Sequence, residues 1–224
     1  MTVRLIAVTK PVIPELESAE ALVAYCARVS APGNQSNFDT ASKLIGYMLR
    51  KQHWSPFEMV GATIEIVATR DISRQILRHK SFVFQEFSQR YARVHDFSEP
   101  RECRLQDATN RQSSIPSTQP GLCDWWEDAQ QRVTELAREV YDGALDRGIA
   151  REQARVVLPE GLTMSRLYMT GPLRSWIHYC ALRTEDGTQK EHRAIAAACR
   201  DIVGEQFPAV AAALGWPNTT TKGE

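Results

Sequence analysis

The spacing of apolar residues along this 224-residue chain alternates between the period of a strand and the period of a helix. In the segment Val60–Thr69, every second residue up to Ala68 is apolar, which is typical of a strand with one buried face. Val3–Val8 predicts an earlier strand that Pro11 terminates. Leu162–Met169 predicts a later strand.

Through much of the remaining chain, apolar residues recur at the spacing of a helix, and Asp71 is the expected N-cap of one such helix. The polar, proline-containing stretch 96–121 predicts a long loop. Because strands and helices mix along the chain without a linker, we predict one mixed α/β (α+β) domain over residues 1–224, with a central sheet flanked by helices. The predicted helices are Glu17–Val29, a segment from Asp39 or Thr40 to before His53, Ile72–His79, Trp125–Leu145, Arg151–Val157, Leu173–Leu182 and Gln189–Val203.

Composition and charge exclude several classes of function. Lys plus Arg and Asp plus Glu both total 27, so the chain lacks the basic excess that binds duplex nucleic acid. Its apolar runs are shorter than the ~20 residues that span a bilayer, and its first residues do not resemble a cleaved leader. The five cysteines have no CxxC spacing, which predicts neither a zinc cluster nor disulfides. We expect a cytoplasmic protein without a metal, a membrane or a nucleic-acid polymer as partner.

Chemically active side chains are densest between Gln75 and Tyr91. Arg78-His79-Lys80 is followed by Glu86, Ser88 and Arg90, whose spacing of two puts their side chains on one side of an extended segment. A carboxylate, a hydroxyl and a guanidinium on one face suit a nucleotide phosphate. The residues alone favour a simpler interpretation, in which the basic triplet complements a helix C-terminus and Glu86 and Arg90 form a surface ion pair.

A resemblance to a known family changes this balance. Arg78-His79-Lys80 followed by Ser88-x-Arg90 resembles the R-H-R and S-x-R signature of the flavin-dependent thymidylate synthases. Three further segments are similar to motifs of the same family and stand in the same order. They are His53–Glu58 (H-x-S-P-F-E), Ala154–Pro159 (A-R-x-V-L-P) and Leu173–Arg183 (the R-S-L-x-x-F-x-x-L-R helix).

The resemblance implies a homotetramer whose active sites are shared between subunits. It implies methylation of dUMP to dTMP with methylenetetrahydrofolate as carbon donor and NADPH-reduced FAD as hydride source. Arg183 matches the residue that activates the pyrimidine, where its guanidinium stabilises charge developing at the N3–O4 edge. The implied FAD contacts are His53, Ser55, Arg78, His79, Lys80, Ser81, Glu86, Arg174 and His178. The implied nucleotide contacts are Gln75, Arg78, Glu86, Ser88, Arg90, Arg155 and Arg183.

Several side chains keep an alternative interpretation. Ser88 has no base placed to activate it, so we interpret it as a ligand contact and not as a nucleophile. The phenylalanines at 82, 84 and 87 could stack on a ligand ring, although core packing is commoner. His95 and His192 match no motif and are expected to be solvated.

Departures from the family pattern leave two further functions open. Lys80 replaces an arginine, Gln85 and Met59 stand where asparagine and histidine are frequent, and Gly171-Pro172 precedes the Arg-Ser pair where an asparagine is usual. Such changes fit an active synthase. They also fit a flavin-dependent pyrimidine nucleotide hydroxymethylase, in which water traps the methylene group, or a catalytically silent flavin- or nucleotide-binding homologue.

Overall fold

The computed structural model describes residues 1–217, which form a mixed α/β fold. Within that range, no helix has the length and hydrophobicity needed to cross a membrane. The strands are β1 (Thr2–Val8), β2 (Gly61–Thr69), β3 (Val83–Glu86), β4 (Arg104–Gln106), β5 (Ser114–Pro116) and β6 (Met164–Pro172). The helices are α1 (Ala19–Ala27), α2 (Ala41–Arg50), α3 (Arg70–Ile76), α4 (Pro120–Asp146), α5 (Arg151–Ala154), α6 (Leu173–Arg183), α7 (Lys190–Gln206) and α8 (Pro208–Leu214).

Four strands form one sheet in the order β1-β2-β6-β3. Each neighbouring pair is antiparallel, and β2 lies against β6 over its full length, from Gly61 opposite Pro172 to Thr69 opposite Met164. Strands β4 and β5 form a separate hairpin. The predicted strands near residues 3, 60 and 162 are thereby confirmed, whereas β3 and the hairpin were not predicted.

The helices bury one face of the sheet. Ile64 and Ile66 of β2 and Leu167 and Met169 of β6 are fully buried, as the alternating pattern predicts, and they pack with Trp176 of α6 in the main core. On the other face, the β6 side chains of residues 166, 168 and 170 are exposed. Within this chain, the expected flanking of the sheet by helices therefore holds for one side only.

Two glycines allow an unusually close approach between β2, β6 and the core. A Cβ atom at Gly61 would lie 2.5 Å from the carbonyl oxygen of Gly171. A Cβ atom at Gly171 would lie 2.6 Å from Cδ1 of Phe82. The Gly-Pro departure from the family pattern thus has a packing role, because Gly171 makes room for the buried ring of Phe82.

The helix that follows β2 differs from the prediction at both ends. Thr69, with extended backbone, holds the N-cap position, and Asp71 lies in the first turn, where its carboxylate accepts hydrogen bonds from Thr69 (2.6 Å) and Arg101 (2.7 Å). Burial raises the pKa of Asp71, but these bonds outweigh burial and hold that pKa below its usual value. The helix ends at Ile76 because the chain then turns to bring Phe82 into the core.

The predicted long loop is also partly structured. Residues 96–121 contain the β4–β5 hairpin, and α4 already begins at Pro120. The carboxylate of Asp107 accepts hydrogen bonds from the backbone N–H groups of Thr109 (2.7 Å) and Asn110 (3.0 Å), which closes the hairpin turn. Strands of three residues are too short for the alternation of apolar residues to predict them.

The close β2–β6 approach predicts a selective sensitivity to added side-chain volume. Gly61→Ala should destabilise the protein by about 1–3 kcal/mol, because the methyl group meets backbone and not a flexible side chain. The matched control is Gly161→Ala, where nothing lies within 4 Å of the new atom. Urea denaturation of both variants measures the difference, and equal midpoints would contradict the argument.

Candidate active site

The first part of the site joins the turn that follows α3 to the end of α6. Nε of Arg183 donates to Nε2 of His79 at 2.9 Å, and the His79 ring stands edge-on to Tyr179 with centroids 4.9 Å apart. Burial lowers the pKa of His79 to about 4, with further contributions from Arg183 and Arg78. The imidazole is therefore neutral near pH 7, and its unprotonated Nε2 can accept the bond that holds the Arg183 guanidinium.

His192 lies directly behind this pair and is fully buried, so its predicted solvent exposure is wrong. Its Nε2 lies 3.2 Å from the hydroxyl of Tyr179, and its Nδ1 lies 3.3 Å from Oε1 of Gln75. Burial lowers its pKa to about 4, with help from Arg183 and His79. The sequence did carry a signal, because His192 shares the helical spacing of Ile195, Ala196, Cys199 and Val203 on the buried face of α7.

Gln75 continues this group towards the surface. Its Nε2 donates to Oε1 of Gln189 at 2.7 Å, and Nε2 of Gln189 donates to Oε2 of Glu191 at 2.9 Å. The other oxygen of Glu191 accepts from Arg104 of β4, in an ion pair whose two side chains are each 13% exposed. The chain of contacts therefore runs from the predicted nucleotide residue Gln75 to the hairpin.

A second group of predicted residues lines α6 and the 3₁₀ turn Ser55–Glu58. Arg174 forms an ion pair with Glu58, and the ring of His178, one turn further along α6, lies 4.4 Å from Trp54. Burial, followed by the charge of Arg174, lowers the pKa of His178. A cleft of about 530 Å³ borders Glu58 and the Gly61–Gly171 crossing. Ser55 and His53 are exposed nearby in the chain, and the His53 ring stands edge-on to Tyr47 at 5.9 Å.

A third group lies beyond β3, and here the extended arrangement that we predicted is wrong. The backbone N–H of Tyr91 donates to the Ser88 carbonyl at 3.1 Å, so the chain turns before Arg90. The alternative Glu86–Arg90 ion pair is also not formed. Glu86 instead accepts from the hydroxyl of Ser165 at 3.0 Å and lies 3.6 Å from Arg70.

Arg90 and Arg155, although 65 positions apart in the sequence, both contact Glu152. Arg90 pairs with the Glu152 carboxylate at 3.2 Å, and Nε of Arg155 donates to the Glu152 carbonyl at 3.4 Å. Both guanidinium groups therefore belong to one patch around the start of α5. Proximity in the fold, which the sequence order conceals, supports the assignment of both to a single ligand.

Most of the remaining predicted contacts lie on the loop between α3 and β3, and one lies just after β3. Arg78, Lys80, Ser81 and Ser88 are exposed, and the carbonyl of Ser81 accepts from the hydroxyl of Ser175 at 3.1 Å. Because Lys80 faces solvent, its replacement of an arginine disturbs no internal packing. Phe82 is buried, with its ring 4.7 Å from that of Trp176, so core packing is its role.

Comparison with known proteins identifies the family. A family model described as "Thymidylate synthase complementing protein" matches residues 11–209. The chain is 47% identical over 216 residues to the "Probable flavin-dependent thymidylate synthase" of Paramecium bursaria Chlorella virus 1, covering 96% of this chain and 100% of that protein. It is 50% identical over 219 residues to the "Flavin-dependent thymidylate synthase" of Synechocystis sp., covering 96% and 100%. This chain belongs to the flavin-dependent thymidylate synthase family.

A solved structure supports the same assignment. The UMP/dUMP methylase PolB from Streptomyces cacaoi, bound with 5-Br dUMP, matches with a TM-score of 0.81 and 29% identity, over 96% of this chain and 94% of that chain. The resemblance to flavin-dependent thymidylate synthases inferred from the motifs is thereby confirmed. In this member of the family, the motif residues divide among three places: around His79, along α6 and around Glu152.

The two neutral imidazoles predict how stability depends on pH. His79 and His192 have folded pKa values of about 4, whereas an unfolded histidine has a pKa of about 6.5. As the pH falls from 6.5 towards 4, the unfolded chain takes up protons that the folded chain does not, so the free energy of unfolding decreases. Urea midpoints measured at pH 7 and pH 5 should show this loss, and His192→Gln should reduce its steepness.

The matched control for this titration is His95→Gln, because His95 is an exposed histidine outside the site. This variant should lose stability between pH 7 and pH 5 as steeply as the wild-type protein does. If the urea midpoints of His192→Gln and His95→Gln depended on pH equally steeply, the buried imidazole of His192 would not be the cause of the stability loss at low pH.

Proposed function

We propose that this chain transfers a one-carbon unit from methylenetetrahydrofolate to C5 of dUMP and forms dTMP, with NADPH-reduced FAD as the hydride source. The observation that carries the proposal is the Arg183 guanidinium, fixed at Nε by a neutral histidine. Family membership and the likeness to a UMP/dUMP methylase support a uracil nucleotide as substrate.

Arg183 has the chemistry needed to activate a pyrimidine. A guanidinium stays protonated at all relevant pH values and presents its donors in a rigid fork. Since Nε donates to His79, the two terminal nitrogens carry the donors that remain for a ligand. Placed at the N3–O4 edge of uracil, they would stabilise the negative charge that develops when C5 acts as a nucleophile. This role requires no covalent bond between enzyme and substrate.

In the proposed binding mode, the phosphate of the nucleotide replaces the Glu152 carboxylate as the partner of Arg90 and also contacts Arg155. Arg90 and Arg155 supply two guanidinium groups there, and Ser88 lies on the turn that leads to Arg90. Guanidinium forks bind phosphate oxygens by paired hydrogen bonds. Gln75, Arg78 and Glu86 complete the proposed nucleotide contacts, with Glu86 held in place by Ser165.

The second group provides suitable donors for FAD. Exposed Arg174 and His178 lie one turn apart on α6. Arg174 pairs with Glu58, which borders the cleft of about 530 Å³ and ends the 3₁₀ turn that Ser55 begins. A cationic and hydroxyl-bearing surface of this kind fits the pyrophosphate of a dinucleotide. Reduced flavin bound there would supply the hydride. The proposed FAD contacts are His53, Ser55, Arg78, His79, Lys80, Ser81, Glu86, Arg174 and His178.

We further propose that the protein works as a homotetramer with sites completed across subunit boundaries. Helix α4 supports an assembly, because Trp126, Val133 and Val140 are at least 39% exposed and recur every seven residues. Leu136, 62% exposed, lies between them, so the four form an apolar stripe next to the buried face of the helix. Seven-residue spacing favours packing against a second helix. The division of ligand residues among three places also fits sites built from more than one subunit.

Product analysis tests the proposed reaction. The purified protein is incubated with dUMP, methylenetetrahydrofolate, FAD and NADPH under low oxygen, and nucleotides are identified by mass spectrometry. We expect a product heavier than dUMP by one CH₂ unit, because a methyl group replaces the hydrogen at C5. A hydroxymethylated nucleotide would instead establish the hydroxymethylase, and unchanged dUMP beside a bound flavin would establish a silent homologue.

Two variants link the product to the site. Arg183→Ala should lower turnover by about 100-fold or more, as expected when a group that stabilises developing charge is removed, while the flavin spectrum remains. Arg193→Ala is the matched control, because Arg193 forms an exposed ion pair with Asp186 at 2.6 Å. Turnover retained in Arg183→Ala would exclude the assigned role.

The stripe on α4 predicts a dependence of assembly on one side chain. Leu136→Asp should shift the protein to smaller species in sedimentation velocity, since an isolated carboxylate would be buried in the proposed contact. Gln131→Asp adds the same charge on the opposite, polar side of the helix and should leave the assembly intact. An unchanged sedimentation coefficient in Leu136→Asp would refute this contact.

A further inference from the structure

We propose that His192 is a positioning residue that holds the side-chain amide of Gln75 in a single orientation for nucleotide binding. This inference rests on the proposed function, in which Gln75 contacts dUMP. The residues that carry it form the hydrogen-bonded series Tyr179, His192, Gln75, Gln189 and Glu191, which we call the amide relay.

The direction of every hydrogen bond in the amide relay follows from Glu191. A carboxylate only accepts, so the amide of Gln189 must turn its NH₂ group to Glu191 and its oxygen to Gln75. Gln75 must then give its NH₂ group to Gln189, at 2.7 Å, and its oxygen to His192. It follows that Nδ1 of His192 carries the proton, and that Nε2 accepts from the hydroxyl of Tyr179.

Glu191, the first acceptor of the amide relay, also forms an ion pair with Arg104. Each side chain is 13% exposed, and the guanidinium stabilises the carboxylate as an acceptor. At the other end, His192 of α7 is fully buried and Tyr179 of α6 is 1% exposed. Both ends of the series are therefore fixed, one by charge and the other by packing.

A flipped Gln75 amide would conflict with Gln189, because the two amide oxygens would then face each other. It would also lose the N–H donor at Nδ1 of His192, unless the imidazole moved its proton to Nε2 and the Tyr179 hydroxyl became the acceptor. An amide has two donor hydrogens and two acceptor lone pairs, so the observed orientation leaves one hydrogen and one lone pair for a ligand. Gln75 is half-buried, and its remaining groups are presented to the nucleotide in one defined order.

The same histidine also reaches the catalytic guanidinium through Tyr179. The Tyr179 hydroxyl bonds to His192, while the Tyr179 ring packs edge-on against His79, which in turn accepts from Arg183. Gln75 and Arg183 are thus both placed around one buried tyrosine, although they belong to different helices.

Two substitutions at position 192 separate this role from simple packing. The side-chain nitrogen of asparagine can occupy the place of histidine Nδ1, and the polar end of glutamine that of Nε2. His192→Asn therefore retains a donor for Gln75, whereas His192→Gln retains a partner for Tyr179 and loses that donor. Steady-state kinetics of the full-length, FAD-loaded protein give kcat and the KM for dUMP of each variant.

We expect KM to rise about tenfold in His192→Gln and to stay within about threefold of wild type in His192→Asn, with kcat nearly equal in both. Loss of an interaction made equally in the ground state and the transition state has this signature. Equal KM values in the two variants would overturn the inference. Failure of the wild-type protein to bind dUMP in equilibrium dialysis would instead overturn the proposed function.

A second pair of variants leaves the buried core untouched. Glu191→Gln replaces the acceptor that sets the direction of the amide relay, so Gln189 and Gln75 could turn together, and KM for dUMP should rise several-fold. Lys190→Gln, the neighbouring residue, removes an exposed ion pair with Glu102 and should leave KM unchanged. Matching KM values for these two variants would also overturn the inference.

Discussion

The antiparallel pairing of β2 with β6 is the constraint on which the rest of the structure depends. Each strand passes directly into a helix, β2 into α3 and β6 into α6, and because the strands run in opposite directions these helices start at opposite ends of the sheet. Both helices pack into the same core. His79, three residues past the end of α3, accepts a hydrogen bond from Arg183, the last residue of α6. The pairing of the two strands therefore helps to bring together His79 and Arg183, which are 104 positions apart in the sequence.

Burial gives the site its electrostatic character. Histidines are usually half-protonated near pH 6.5, yet His79 and His192 lie where desolvation and neighbouring guanidinium charge keep them neutral. A neutral ring can accept a hydrogen bond from a cation, whereas an imidazolium would repel it. The site thus holds Arg183 without an acidic partner at Nε, so that its positive charge is not cancelled at that position before a substrate binds.

The sequence predicted the parts of this molecule that follow from periodicity or from motifs. The alternation from Val60 to Ala68 located the central strand, and the four motifs identified the family. Contacts between residues that are distant in the chain could not be predicted from the sequence. Nothing in the sequence places Arg90 beside Glu152, or His192 behind Tyr179. His192 was assigned to solvent because no motif contained it, although the helical spacing around it was visible. Short elements such as β4 were not predicted, because three residues are too few to show a periodic pattern.

The hairpin formed by β4 and β5 has a practical consequence for labelling this protein. Its base is tied to α7 by Arg104, whereas the tip between Ala108 and Gln112 is exposed and closed by its own Asp107 turn. Exposed tips held by local bonds tolerate inserted residues and attached groups. A fluorophore at the tip would sit on an element joined through Glu191 to Gln75, and it would leave every candidate site residue unmodified.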